Sequence, residues 1–115
     1  MTADQLYSNK MQTFSDRVLK LALSIPKGRV STYGRIAKAA GAGPMASQSI
    51  TSILYKAWLS GNKKIPWHRI VYADGKVWTD EKHKSERLKL YKKEKIKVDE
   101  KGRIVDFNKV LFEFK

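Results

Sequence analysis

Two histidines, His68 and His83, and no cysteine set the first limits on what this 115-residue chain can do chemically. Without a thiol there is no disulfide, no thiolate zinc site and no cysteine nucleophile. Two imidazoles are also too few for a histidine-based metal centre, so neither metal nor cofactor is expected. What remains is charge: 24 Lys and Arg against 11 Asp and Glu give a formal net charge of +13 and a sequence pI near 10.0. Such an excess points to a polyanionic partner.

The placement of the charge is more informative than its total. Between Arg17 and Ala73 there is no acidic residue, while Arg17, Lys20, Lys27, Arg29, Arg35, Lys38, Lys56, Lys63, Lys64 and Arg69 are all basic. A one-signed stretch makes a phosphate-binding face, although a lysine-rich solubilising surface is the plainer alternative. From Lys76 to Lys101 bases alternate with acids such as Glu81, Glu86 and Glu94, which reads as a solvated helix face.

The elements that must position these charges follow from periodicity and punctuation. Phe14, Val18, Leu21 and Ile25 recur at helical spacing, and Pro26-Lys27-Gly28 ends the run, which predicts a helix from about Gln12 to Ser24. Ser31-Thr32 offers N-cap chemistry for a short helix, Tyr33 to Ala40, closed by Gly41. Beyond the linker Ala42-Gly43-Pro44, Ile50, Ile53, Leu54 and Ala57 line one side of a helix from Ser47 to Leu59. Two helices joined by a Gly-containing turn spell a helix-turn-helix, though such pairs also occur as plain packing units.

Further on, Trp67 to Tyr72 reads as an extended piece that turns at Asp74-Gly75 into Lys76-Val77-Trp78, a small hairpin. A helix from about Asp80 to Lys93, capped by Thr79, comes next, and the tail from Ile104 to Phe114 is expected to cover the core with Val105, Phe107, Val110, Leu111, Phe112 and Phe114. The expected fold is a single α/β domain, mainly helical, over residues 1–115. No run approaches the ~18 apolar residues of a membrane span, and Met1 to Lys10 has no apolar signal core, so the expected location is cytoplasmic.

Two segments resemble one family. Ile65-Pro66-Trp67-His68-Arg69-Ile70-Val71 is similar to the Pro-Cys-His-Arg-Val active-site motif of the O6-alkylguanine-DNA alkyltransferases, with Trp67 in the place of the nucleophile. Ile25 to Ala37, with Arg29-Val30-Ser31-Thr32-Tyr33-Gly34-Arg35 at its centre, resembles the entry to the family's helix-turn-helix. The likeness runs from about Phe14 to Ile96 and identifies the chain as a member of the alkyltransferase-like branch, which implies a C-terminal-type alkyltransferase domain that recognises alkylated guanine without repairing it. Chemistry agrees on its own terms, because dealkylation by that route needs a low-pKa thiolate and an indole is no substitute.

The resemblance also implies roles. Trp67 becomes a wall for an extrahelical base, where base–aromatic stacking is worth ~1–3 kcal/mol, or else it fills the space that a cysteine left. His68 and Glu94 match the proton relay of the enzymes, here a relay without a thiol, and a satisfied buried histidine is the simpler reading of His68. Tyr33 matches the tyrosine that crowds the 3′ phosphate during nucleotide rotation, or it is a first-turn core aromatic. Gln48 stands where the family has its intercalating arginine; it can fill the gap in the stack but brings no charge, and it can equally be an exposed helix residue. Arg35 and Lys38 are expected on DNA phosphates. Trp78 falls where the family builds a lid, or packs on the core; the loop Ser60 to Lys64 takes up an insertion, and Asn62 within it is a candidate for the family's structural asparagine.

The implied partners are duplex DNA containing O6-alkylguanine and, through the bound complex, nucleotide-excision repair proteins. A monomer is expected, with no membrane. The rival readings are a helix-turn-helix regulator without lesion preference and a residual enzyme using His68 as acceptor.

Overall fold

The computed structural model describes residues 13–43 and 46–114. Gln12, proposed as a helix start, Pro44 of the linker and the segment Met1 to Lys10 lie outside the described residues. Helix α1 spans Phe14–Ser24 and starts on a reciprocal cap: Thr13 accepts from the Asp16 amide at 3.1 Å, and the Asp16 carboxylate accepts from the Thr13 amide at 3.1 Å. Each side chain satisfies an amide that the helix leaves unpaired, worth ~1 kcal/mol for such a cap. Val18 and Ala22 are fully buried along one stripe, with Phe14 and Leu21 packed at its edge.

Strand β1, Ser31–Thr32, leads directly into α2, Tyr33–Ala39. Thr32 caps α2 by accepting from the Arg35 amide at 3.1 Å, so of the two candidate caps the second is used. Gly41, at φ +96°, turns the chain out of the helix in a conformation that a Cβ would strain. Helix α3 then occupies Ser47–Leu59, with Ile50 and Leu54 fully buried against α1 and α2. Burying each side chain of that size contributes roughly 1.5–3 kcal/mol, which is what locks the helix-turn-helix onto α1.

After α3 the structure departs from local expectation. Trp67–Arg69 forms a single turn of 3-10 helix, and only Ile70–Val71 is extended, as strand β2. Instead of folding back as a hairpin strand, β2 pairs in parallel with β1, Ser31 opposite Ile70 and Thr32 opposite Val71. The Asp74-Gly75 turn does form, closed by the Tyr72 amide on the Lys76 carbonyl at 3.0 Å, but Lys76 bridges to Arg103 rather than continuing a hairpin.

Helix α4 covers Lys84–Lys93, four residues shorter at its start than Asp80 suggests. The Asp80 carboxylate accepts from the amide and Nδ1 of His83, at 2.7 and 2.8 Å, and this side-chain turn competes with helix formation. Thr79 therefore does not cap it. The tail contains one further turn, α5, Phe107–Val110, and Leu111 bridges to Val30. Ile104 is buried and Phe107, Val110, Leu111, Phe112 and Phe114 are half-buried, whereas Val105 is 40% exposed and covers no core. The result is a small α/β domain, mainly helical, with a helix-turn-helix and a two-stranded parallel sheet. Among the described residues no helix is long and apolar enough to cross a membrane.

Candidate nucleic-acid interface

The ring of residues around β1 and β2 is built on one buried carboxylate. Glu94, the cap residue after α4, accepts from Arg69 Nε at 3.0 Å and Arg69 Nη2 at 2.8 Å, a bidentate pair. It also accepts from the Gly28 amide at 2.9 Å and meets His68 Nε2 at 2.6 Å. Gly28 can aim its amide there because it sits at φ +83°. Arg69 spends a further donor, Nη1, on the Ile25 carbonyl at 3.0 Å. One cluster thus ties α1, the 3-10 turn and α4 together.

Burial works to raise the Glu94 pKa, but the hydrogen bonds from Arg69, Gly28 and His68 outweigh it and hold the carboxyl at about 2. Burial, more than offsetting the pull of Glu94, pushes His68 below its ordinary value. A neutral His68 then donates Nε2–H to a charged Glu94. Since Arg69 is committed to Glu94, it leaves the set of phosphate contacts suggested by the acid-free run. Arg29 leaves it as well, donating from Nε to the Val110 carbonyl at 3.1 Å and from Nη2 to the Leu111 carbonyl at 2.7 Å. Arg17 donates from Nε to the Ala40 carbonyl at 2.8 Å. Lys20, Lys27, Lys38, Lys56, Lys63 and Lys64 are exposed.

Above this cluster lies a cavity of about 440 Å³ walled mainly by aromatic rings. All three tryptophans of the chain, Trp58, Trp67 and Trp78, line it, together with Tyr33, Tyr55 and Tyr72. Trp67 stands edge-on to Trp58 with ring centroids 6.4 Å apart, and Tyr33 tilts against Tyr72 at 5.8 Å. Burial, helped by the neighbouring Tyr72, raises the Tyr33 hydroxyl pKa, so it remains a hydrogen-bond donor at any ordinary pH. Arg87 lies over the Trp78 ring at 5.2 Å, the one Lys or Arg side chain among those lining the cavity. Flat apolar walls with a few donors suit a planar heteroaromatic ring.

Of the residues marked in the sequence, Tyr33, Trp67 and Trp78 meet in this cavity, while His68, the next residue after Trp67, pairs with Glu94 outside its lining. Trp78, 39% exposed, forms an outer edge rather than core. Gln48 and the cations Arg35 and Lys38 are exposed and line no part of the cavity. Arg35 makes a surface ion pair with Glu113 at 3.3 Å, an interaction of the kind worth ~0–1 kcal/mol. Gln48 begins the α3 stripe that continues through Thr51 and Tyr55 to Trp58, so it shares the helix face that walls the cavity.

The sequence motifs leave six of the cavity residues unmarked: Thr51, Tyr55, Trp58, Tyr72, His83 and Arg87. Thr51, Tyr55 and Trp58 recur at helical spacing beside the buried stripe of α3, a signal available in the sequence but indistinguishable there from core. Asn62, in the loop after α3, donates from its side chain to the Ala57 carbonyl at 3.2 Å and so closes the helix end.

A basic helix-turn-helix joined to an aromatic cavity by a parallel β1–β2 pair defines the DNA-binding class of domain. The chain belongs to the family of 6-O-methylguanine DNA methyltransferase DNA-binding domains, whose profile matches residues 13–96. It is 37% identical over 68 residues to a DNA base-flipping protein of Escherichia coli strain K12, a match covering 59% of this chain and 50% of that protein. The chain thus spans about half the length of that relative. To a DNA base-flipping protein of Vibrio parahaemolyticus it is 33% identical over 94 residues, 82% of this chain and 91% of that one. Its fold matches the crystal structure of S. pombe Atl1 in complex with damaged DNA containing O6-carboxymethylguanine, with a TM-score of 0.69 over 99% of this chain and 100% of that chain, at 20% identity.

Proposed function

We propose that this protein binds duplex DNA through its helix-turn-helix, receives an O6-alkylguanine rotated out of the stack into the aromatic cavity, and holds it without removing the alkyl group. The observation that carries this reading is the cavity itself: Trp67 occupies the nucleophile's place in the motif, and three tryptophans surround a space of about 440 Å³. The relatives named base-flipping proteins support the same reading. Trp67 and Tyr33 supply stacking surface and a hydroxyl donor, Gln48 enters the gap in the duplex, Trp78 closes the outer edge, and Arg35 and Lys38 contact phosphates. With no cysteine anywhere in the chain, no thiolate exists to accept the alkyl group. The protein acts as a monomer, and the complex it forms marks the lesion for nucleotide-excision repair.

Base rotation is tested with 2-aminopurine placed beside O6-methylguanine, because that fluorophore brightens when its stack opens. Fluorescence should rise on binding, less with Gln48→Ala, and Gln48→Arg should tighten the complex. An unchanged signal on saturating binding would mean that the lesion is read inside the duplex. Affinity should also fall with salt, a log–log slope of about −4 to −5 for ~5 phosphate contacts. Neutralising Lys38 should shrink the slope for damaged and undamaged duplex alike; a lesion-selective loss would remove Lys38 from the phosphate contacts.

A further inference from the structure

The outer face of α4 takes no part in the aromatic cavity or the helix-turn-helix. Lys84, Leu88 and Lys92 recur there at four-residue intervals and are exposed, while Tyr91, one turn on from Leu88, is buried at the base of the same face. Leu88 and Val105 are each 40% exposed, and between them lies a groove of about 730 Å³ with an apolar floor and Lys92, Lys95 and Lys97 on its rim. A second hollow of about 520 Å³ shares Leu88 and Lys92 and extends the groove past Lys84 and Lys89, with Glu81 the one acid on its edge. Lys95 sits at φ +61°, a left-handed position that glycine or asparagine fills at lower cost. The chain keeps a long cation there, at the rim.

We propose that this groove docks an acidic amphipathic segment of a partner protein, its apolar stripe on Leu88 and Val105 and its carboxylates on Lys92, Lys95 and Lys97. Charge selects this occupant. A second copy of the chain also carries a net charge of +13 and is repelled. A DNA backbone would answer the lysines but has no apolar face to cover Leu88 and Val105, whereas an amphipathic helix answers both. The proposal goes beyond lesion recognition and stands whether or not the aromatic cavity holds an alkylated base.

The test uses the full chain, isotopically labelled, titrated with a short helical peptide bearing leucines along one face and glutamates along the other. Amide shifts should move at Leu88, Lys92, Lys95 to Val98 and Val105. Leu88→Ser with Val105→Ser, at exposed positions, should weaken peptide binding roughly tenfold, a typical loss for an apolar anchor, and leave duplex binding unchanged. Lys95→Gly should raise the unfolding midpoint, because glycine suits that backbone, yet weaken the peptide. Unchanged peptide affinity in both variants would overturn the proposal. So would equal binding of the peptide with lysines in place of glutamates, shifts confined to α2 and α3, or an undamaged duplex that moves the same groove residues.

Discussion

Replacing Glu94 by Ala is expected to lower the unfolding free energy by about 3–5 kcal/mol, a large part of what a domain of this size possesses. The loss comes from what is left behind. Arg69, its side chain only 14% exposed, would keep a charge with no counterion, and the Gly28 amide and His68 Nε2 would lose their acceptor. Chemical denaturation of the two proteins measures the difference. A change below about 1 kcal/mol would mean that water replaces the carboxylate and that the cluster is not the tie between α1, the 3-10 turn and α4. Removing both charges, with Arg69→Met and Glu94→Leu together, should restore part of the loss, because neither charge is then buried alone.

The same carboxylate makes stability depend on pH. Its folded-state pKa, about 2, lies below the ordinary 4.5, so its contribution is complete above pH 4.5 and is lost as the pH falls towards 2. A shift of that size corresponds to about 3 kcal/mol. His68, held low by burial, adds in the same sense from its ordinary 6.5 downward. Stability measured between pH 7 and pH 3 should therefore fall with acid in the parent protein and fall less in Glu94→Gln.

Trp67→Ala should abolish most of the preference for O6-alkylguanine while leaving affinity for undamaged duplex nearly unchanged. Stacking on an aromatic side chain is worth ~1–3 kcal/mol, roughly 5- to 150-fold in affinity, and Trp67 stands edge-on to Trp58 in the wall of the cavity. Trp67→Phe should retain part of the preference. Equal losses for damaged and undamaged DNA would make Trp67 a structural residue. Trp67→Cys puts a thiol beside a neutral His68 already seated on Glu94, so deprotonation is within the chemistry available. We expect at most slow, partial alkyl transfer, because attack needs sulfur within ~3–3.5 Å of the alkyl carbon and the cavity is shaped around an indole. Rapid stoichiometric transfer would show an otherwise enzyme-like site.

The elements governed by local periodicity were legible in the sequence. Helix α3 begins and ends at the expected Ser47 and Leu59, since its buried stripe, its small polar start and Gly61 all agree. Non-local structure was not. The segment after Pro66 looks like a hairpin strand because its alternation is local, but its partner, β1, lies far back in the chain and pairs in parallel. The start of α4 is not decided by sequence, because Asp80 favours a helix first turn and a side-chain turn equally well, and the structure adopts the latter. The cavity was half visible: Tyr33, Trp67 and Trp78 could be marked, whereas Trp58 and Arg87 reach it from helix faces that a periodic pattern assigns to core or solvent. Arg69 shows the opposite limit, for sequence counts every cation as surface charge, and only the fold reveals one committed to a carboxylate.

Recognition of an alkylated base without chemistry can be read from a single competition titration. Labelled duplex containing O6-methylguanine is displaced by unlabelled duplex with or without the lesion, and the recovered DNA and protein are weighed by mass spectrometry. The damaged duplex should bind more tightly, with the methyl group still on the DNA and the protein mass unchanged. Equal affinity for the two duplexes, or a methyl group gained by the protein, would contradict recognition without chemistry.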